Sequence, residues 1–131
     1  MKTILNLTQH PATADQKNAL VHDLPEETLP RLKELLTFDE IPDWEQMRNR
    51  AESIIDILPP VVQGGGHEVL AMIGGAPFFM PVLAEALHEC SVKPVYAFSK
   101  RVVEETTDAE GKRTKVSVFK HIGFVDHPFD N

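Results

Sequence analysis

Apolar positions along this chain fall into short runs separated by polar, glycine- or proline-marked breaks, and the period of each run predicts an element. Thr3 to Leu7, with Ile4, Leu5 and Leu7 apolar, predicts a first strand opening onto Thr8-Gln9-His10-Pro11. Proline disfavours helix at the residue before it, so this polar stretch reads as a loop. Thr13 or Asp15 then caps a short helix reaching Ala19, and Leu20 to Leu24 forms a second strand. Leu24-Pro25-Glu26-Glu27 begins another helix, with proline and two acids where a helix N-terminus favours them. Leu29, Leu32, Leu35 and Leu36 follow at helical spacing, which places Pro30 in the first turn. Asp43 caps a longer helix in which Trp44, Met47, Ala51, Ile54, Ile55 and Leu58 recur every three or four residues, until Pro59-Pro60 stops it.

The central stretch is Glu68 to Pro77, EVLAMIGGAP. A short apolar run that stops at two glycines and a proline reads as a buried strand feeding a helix through a tight turn. Such a turn admits close approach of backbone to a ligand, and the first amides of the following helix carry positive partial charge, so an anion, above all a phosphate, is the expected guest. Gly74-Gly75-Ala76-Pro77 matches neither G-x-G-x-x-G nor a P-loop, and the competing reading is a turn that needs glycine only for its backbone angles. Pro81 removes a helical donor, which moves the expected start of the regular helix toward Met80. Upstream, Gln63-Gly64-Gly65-Gly66-His67 sits on the side of the strand away from ligand sites and reads as a flexible loop with His67 facing solvent.

Val82, Leu83, Ala86, Leu87 and Cys90 share one helical face, which makes Cys90 a core residue rather than a nucleophile. Val92 to Phe98 predicts a strand opening onto Ser99-Lys100-Arg101. Val102 to Thr107 and Thr114 to Val125 flank a polar, glycine-containing segment and predict a β-hairpin over about 102–125, one face covering the core and the other open. Asp126 to Asn131 reads as a loose tail.

The order of elements is that of an α/β fold, a Rossmann-like, mostly parallel sheet with helices on both faces and a C-terminal antiparallel β-hairpin, all in one domain spanning 1–131. With strand 1 between strand 2 and the Gly-Gly strand, the connections diverge and leave a crevice. Three segments are expected at its rim: Thr8-Gln9-His10, Gly74-Gly75-Ala76 and Ser99-Lys100-Arg101. Thr8 and Ser99 can bond phosphate oxygens, Gln9 can read a base or ribose edge, and Lys100 or Arg101 can neutralise charge. His10 is the only histidine among them, the residue type suited to general acid–base work. Its competing reading is a loop histidine tied to a neighbouring carbonyl.

Charge narrows the ligand. A net charge of −7 argues against long nucleic acid, whereas a small anion needs only a few focused cations, and Lys100, Arg101, Lys112, Arg113 and Lys115 cluster in the last third. The single cysteine cannot form an intramolecular disulfide. No apolar run reaches the roughly 18 residues of a membrane span and no signal peptide follows Met1, so the expectation is a soluble, cytoplasmic protein without membrane contact. No spacing suggests a metal site or cofactor.

The segments MIGGAPFF, KPVYAFSKRVVEE and KVSVFKHIGFV, with NLTQH near the start, resemble the small stand-alone ring nucleases of the CRISPR-associated Rossmann-fold (CARF) group over roughly residues 68–125. The resemblance implies a homodimer that binds a cyclic oligoadenylate across its two-fold axis and linearises it without metal. Transferred by position, Thr8, His10 and Lys100 would carry catalysis, and Gln9, Gly74, Gly75, Ala76, Ser99 and Arg101 would bind the ligand. The alternatives are a non-catalytic module that senses or sequesters such a nucleotide, and an interaction protein assembled through its hairpin.

Overall fold

The computed structural model describes residues 2–60 and 66–129. Gln63, Gly64 and Gly65, expected as a flexible loop, lie outside the described residues. The elements are β1 (Lys2–Leu7), α1 (Ala14–Asn18), β2 (Val21–Asp23), a 3-10 turn (Glu26–Thr28) leading into α2 (Leu29–Leu36), α3 (Trp44–Asp56), β3 (Glu68–Ile73), α4 (Met80–Glu89), β4 (Lys93–Thr107) and β5 (Arg113–Asp126). Local chemistry sets the starts. Thr13 with Gln16, and Asp43 with Gln46, form reciprocal capping boxes that satisfy otherwise orphaned amides of α1 and α3. At the end of α2, Arg50 of α3 donates to the carbonyls of Leu35 and Thr37 while its guanidinium lies 4.2 Å above the Phe38 ring. One arginine thereby ties two helices and an aromatic together.

The strands order β2-β1-β3-β4-β5, with the first three pairings parallel and β5 antiparallel. β1 therefore lies between β2 and β3, as expected. Alternation along β1 separates two cores: Leu5 and Leu7 belong to the cluster with α2, α3 and α4 through Leu32, Ile54, Phe79, Leu83 and Leu87, whereas Ile4 faces the other side with Val21, Leu70, Met72 and Val95. That second side is covered more thinly, by Ala12, the short α1 and the partly buried Phe124 of β5. α1 touches both β2 and β5. Four strand spacings separate those strands, roughly 19 Å in a flat sheet, more than a helix of about 10 Å diameter can bridge, so the sheet must curl around α1. It forms a half-barrel rather than a flat layer.

Several sequence expectations change. β4 does not stop at Phe98. It continues as one strand to Thr107, paired with β5 throughout, and a register shift between Phe98 and Ser99 leaves Ile122 as the extra residue of a bulge. Beyond that bulge neither face covers the core, because the hairpin has run past the layer of helices. Cys90 is exposed rather than buried: α4 ends at Glu89, Ser91 turns the chain at φ 61°, and Val92 takes the buried position instead. His67 is half-buried, with Nε2 3.2 Å from the Thr3 hydroxyl, so it does not simply face solvent. The tail is folded back through Phe129. The Tyr96 hydroxyl lies 2.7 Å from His127 Nδ1, and the Phe129 ring stacks on His88 at 4.5 Å. Asp130 and Asn131 lie outside the described residues. No helix among the described residues is long and apolar enough to cross a membrane.

Candidate functional site

The site is built on Asn6, a buried polar residue in an otherwise apolar strand. Its Nδ2 donates to Asp23 Oδ1 at 2.7 Å and to the His10 carbonyl at 2.8 Å, and its Oδ1 accepts from the Thr8 amide at 3.0 Å. The Thr8 hydroxyl lies 2.7 Å from the same Oδ1 and 3.1 Å from the His10 carbonyl. Asp23 Oδ1 also accepts from the Ala12 amide at 2.9 Å. All four capacities of the amide that this geometry uses fold the β1–α1 loop back onto β2. Burial raises the Asp23 pKa, but the Asn6 and Ala12 hydrogen bonds and nearby Lys17 outweigh it, and the carboxyl ends below its ordinary value of 3.8.

The β3–α4 turn approaches from the other side. A Cβ placed on Gly74 would sit 3.4 Å from Thr8 Cγ2, so the two loops are in direct contact. Gly75 has φ of 149°, a conformation that side chains rarely adopt, which makes the glycine requirement specific. Phe79 donates its amide to the Ala76 carbonyl at 3.0 Å, and Pro77 and Pro81 have no amide hydrogen. An anion cradle here lacks the Pro77, Phe79 and Pro81 donors, and the regular helix starts at Met80 as the sequence suggested. Gly75→Val is expected to cost about 1–3 kcal/mol through backbone strain, read as a lowered chemical-denaturation midpoint, with Gly75→Ala a milder case.

Between the two loops opens a cavity of about 640 Å³. Thr8, Gln9 and His10 form one wall and Gly74, Gly75 and Ala76 the other, with Thr13 and Gln16 of α1 alongside. It lies at the carboxyl ends of β1 and β3, where the connections diverge, the place where open α/β sheets bind ligands. A second cavity of about 400 Å³ lies across the same loop, against Asp23, Leu29 and Pro30. His10 borders both, and its imidazole is exposed. What is tied to a neighbour in this loop is its carbonyl. Gln9 donates to Thr37 Oγ1 at 3.2 Å, which turns its amide toward the end of α2.

The third expected segment is displaced. Ser99, Lys100 and Arg101 lie within the β4–β5 ladder, not in a loop, and do not line the cavity; Tyr96 and Ala97 do. By alternation Lys100 shares the face of Tyr96 and Arg101 that of Ala97, each four residues or about 13 Å farther along the strand. Arg101 lies 5.1 Å above the Phe119 ring, and Glu104, which shares the face of Lys100, is ion-paired with Lys120 at 3.2 Å. Among the described residues no lysine or arginine lines the 640 Å³ cavity. Tyr96 is the group that sequence reasoning missed; burial raises its pKa above 10.0, which keeps the phenol protonated. Among the described residues no group of three His, Cys, Asp or Glu side chains could hold a metal ion.

The profile of the uncharacterized protein MJ1673 family matches residues 2–125, every strand from β1 to within one residue of the end of β5. The chain belongs to that family. The match covers both loops of the crevice and the whole hairpin, so the site described above is part of the MJ1673 family domain rather than an addition to it. No curated protein matches, and no solved structure does.

Proposed function

We propose that the crevice between the β1–α1 loop and the Gly74-Gly75 turn binds a small phosphorylated nucleotide, and that two copies on a Rossmann-like, CARF-like domain hold and linearise a cyclic oligoadenylate without metal. The observation that carries this reading is the contact of Thr8-Gln9-His10 with Gly74-Gly75-Ala76 around one open cavity at the strand switch point. A volume of about 640 Å³ suits one or two nucleotides rather than a whole ring, which favours two sites facing one ligand. In the reaction, a ribose 2'-hydroxyl attacks the adjacent phosphorus and the 5'-oxygen leaves, giving a linear chain ending in a 2',3'-cyclic phosphate. The 2'-hydroxyl proton passes to the base, for which His10 is the candidate, and the leaving oxygen takes up a proton. Positioning in line and donors for the developing charge supply the rate. Lys100 and Arg101, about 13 Å along β4 from the cavity wall and on opposite faces, are not placed to be its cations, so the donors for the developing charge come from the backbone of the Gly74-Gly75 turn.

A second reading, a non-catalytic binder, is favoured by two features: the Thr8 hydroxyl is engaged with Asn6 and His10, and among the described residues no lysine or arginine lines the cavity. Incubation with cyclic tetraadenylate in EDTA separates the two. Linear product, slowed about 10²-fold or more in His10→Ala with binding retained, is expected of the nuclease. Tight retention of an intact ring supports the binder, and absence of binding removes both, leaving an assembly protein.

A further inference from the structure

Past Phe98 the two arms of the hairpin run on for about 30 Å as a ribbon of only two strands. A two-stranded hairpin alone is marginal in water, yet this one displays large apolar side chains: Val103 is 64% exposed and Phe119 69%. Alternation assigns them to one face, where Ser99, Arg101, Val103 and Glu105 of β4 stand opposite His121, Phe119, Ser117 and Lys115 of β5. In its middle that face sets Phe119 and Val103 diagonally beside Arg101 and Ser117, and it carries opposite charges on its two arms toward the tip.

We propose that a second copy of this chain docks on this face, stem on stem, about a two-fold axis running along the strands. Such a rotation lays β4 of one copy over β5 of the other at the same level. Glu105 then meets the partner's Lys115, Arg101 meets the partner's Phe119 and Val103 meets the partner's Ser117, with Val103 and the partner's Phe119 adjacent along the same seam. A face that is self-complementary in this way is what an isologous interface requires. With the axis along the strands, both crevices open toward the same end, because the stem starts directly after Tyr96 and Ala97 at the crevice wall. The inference names the surface for the pairing of copies proposed above, on which it rests.

The test uses paired charge reversal in the full chain, without nucleotide. Sedimentation velocity at micromolar concentration is expected to show a dimer for the wild type. Glu105→Lys and Lys115→Glu should each weaken self-association about ten-fold or more, since both contacts across the two-fold become like-charged. An equimolar mixture of these two variants should regain the dimer, because every cross-contact is then opposite in sign; Phe119→Ser should weaken association without rescue by either. A monomeric wild type, or a mixture no more associated than its separate components, overturns the proposal. Nucleotide binding, measured separately by calorimetry, distinguishes the two ideas: a dimer that ignores nucleotide keeps the interface and removes the function, and a monomer that binds does the reverse.

Discussion

Phe79→Ala is expected to destabilise the protein by about 3–5 kcal/mol, the usual cost of emptying a large aromatic site in a core that collapses only partly. Phe79 is fully buried, meets Phe38 edge-on at 5.2 Å, and contacts the cluster that joins α4 to the sheet. Against a typical stability of about 5–15 kcal/mol this is a large fraction, and for a chain of this length it corresponds to a melting temperature lower by roughly 10–20 °C. Phe79→Leu, which keeps much of the volume, should cost far less. The functional consequence is specific. Phe79 is the first ordered anchor after the Gly74-Gly75 turn, with its amide on Ala76, so the wall of the crevice should loosen before the rest of the fold. Faster amide exchange at residues 74–78 than in β1 would show this; uniform loosening would contradict it.

Much of this architecture is legible in the sequence because the signals are local. Capping boxes at Thr13 and Asp43, the prolines that end or start helices, and the apolar run closed by Gly74-Gly75 each report their own backbone. The switch-point crevice follows only once strand 1 is assumed to lie between strand 2 and the Gly-Gly strand, the order the sheet adopts. The third segment fails for a physical reason: an exposed two-stranded ribbon has water on both faces, so its hydrophobicity does not alternate, and Ser99-Lys100-Arg101 looks the same in a loop or in a strand. What fixes it as a strand is the long-range ladder to β5. One signal was available, since no glycine, proline, asparagine or aspartate interrupts Val95 to Thr107. Cys90 fails differently. Helical periodicity carries the apolar stripe forward but does not register the left-handed Ser91 that ends it.

Asn6 shows a kind of residue that periodicity passes over, a polar side chain at a buried strand position whose purpose is another segment. Asn6→Ala is expected to cost about 2–4 kcal/mol: the bonds to the Thr8 amide, the His10 carbonyl and ionised Asp23 are lost together, and bonds to charged groups are worth more than neutral ones. The loss should be pH-dependent, with a definite sign. Asp23 has a folded pKa below its ordinary 3.8, so its stabilising contribution is complete above that value and disappears as pH falls through the lower folded value. Removing Asn6 removes one of the bonds that depress the pKa. Wild type and Asn6→Ala should therefore differ most near neutrality and converge as acid protonates Asp23, a comparison made by chemical denaturation at neutral pH and below pH 4. A difference that stays constant or widens in acid would mean that Asn6 acts through packing instead. Because the same amide folds Thr8-Gln9-His10 toward the Gly74-Gly75 turn, the variant should also lose the proposed nucleotide binding out of proportion to its remaining folded fraction.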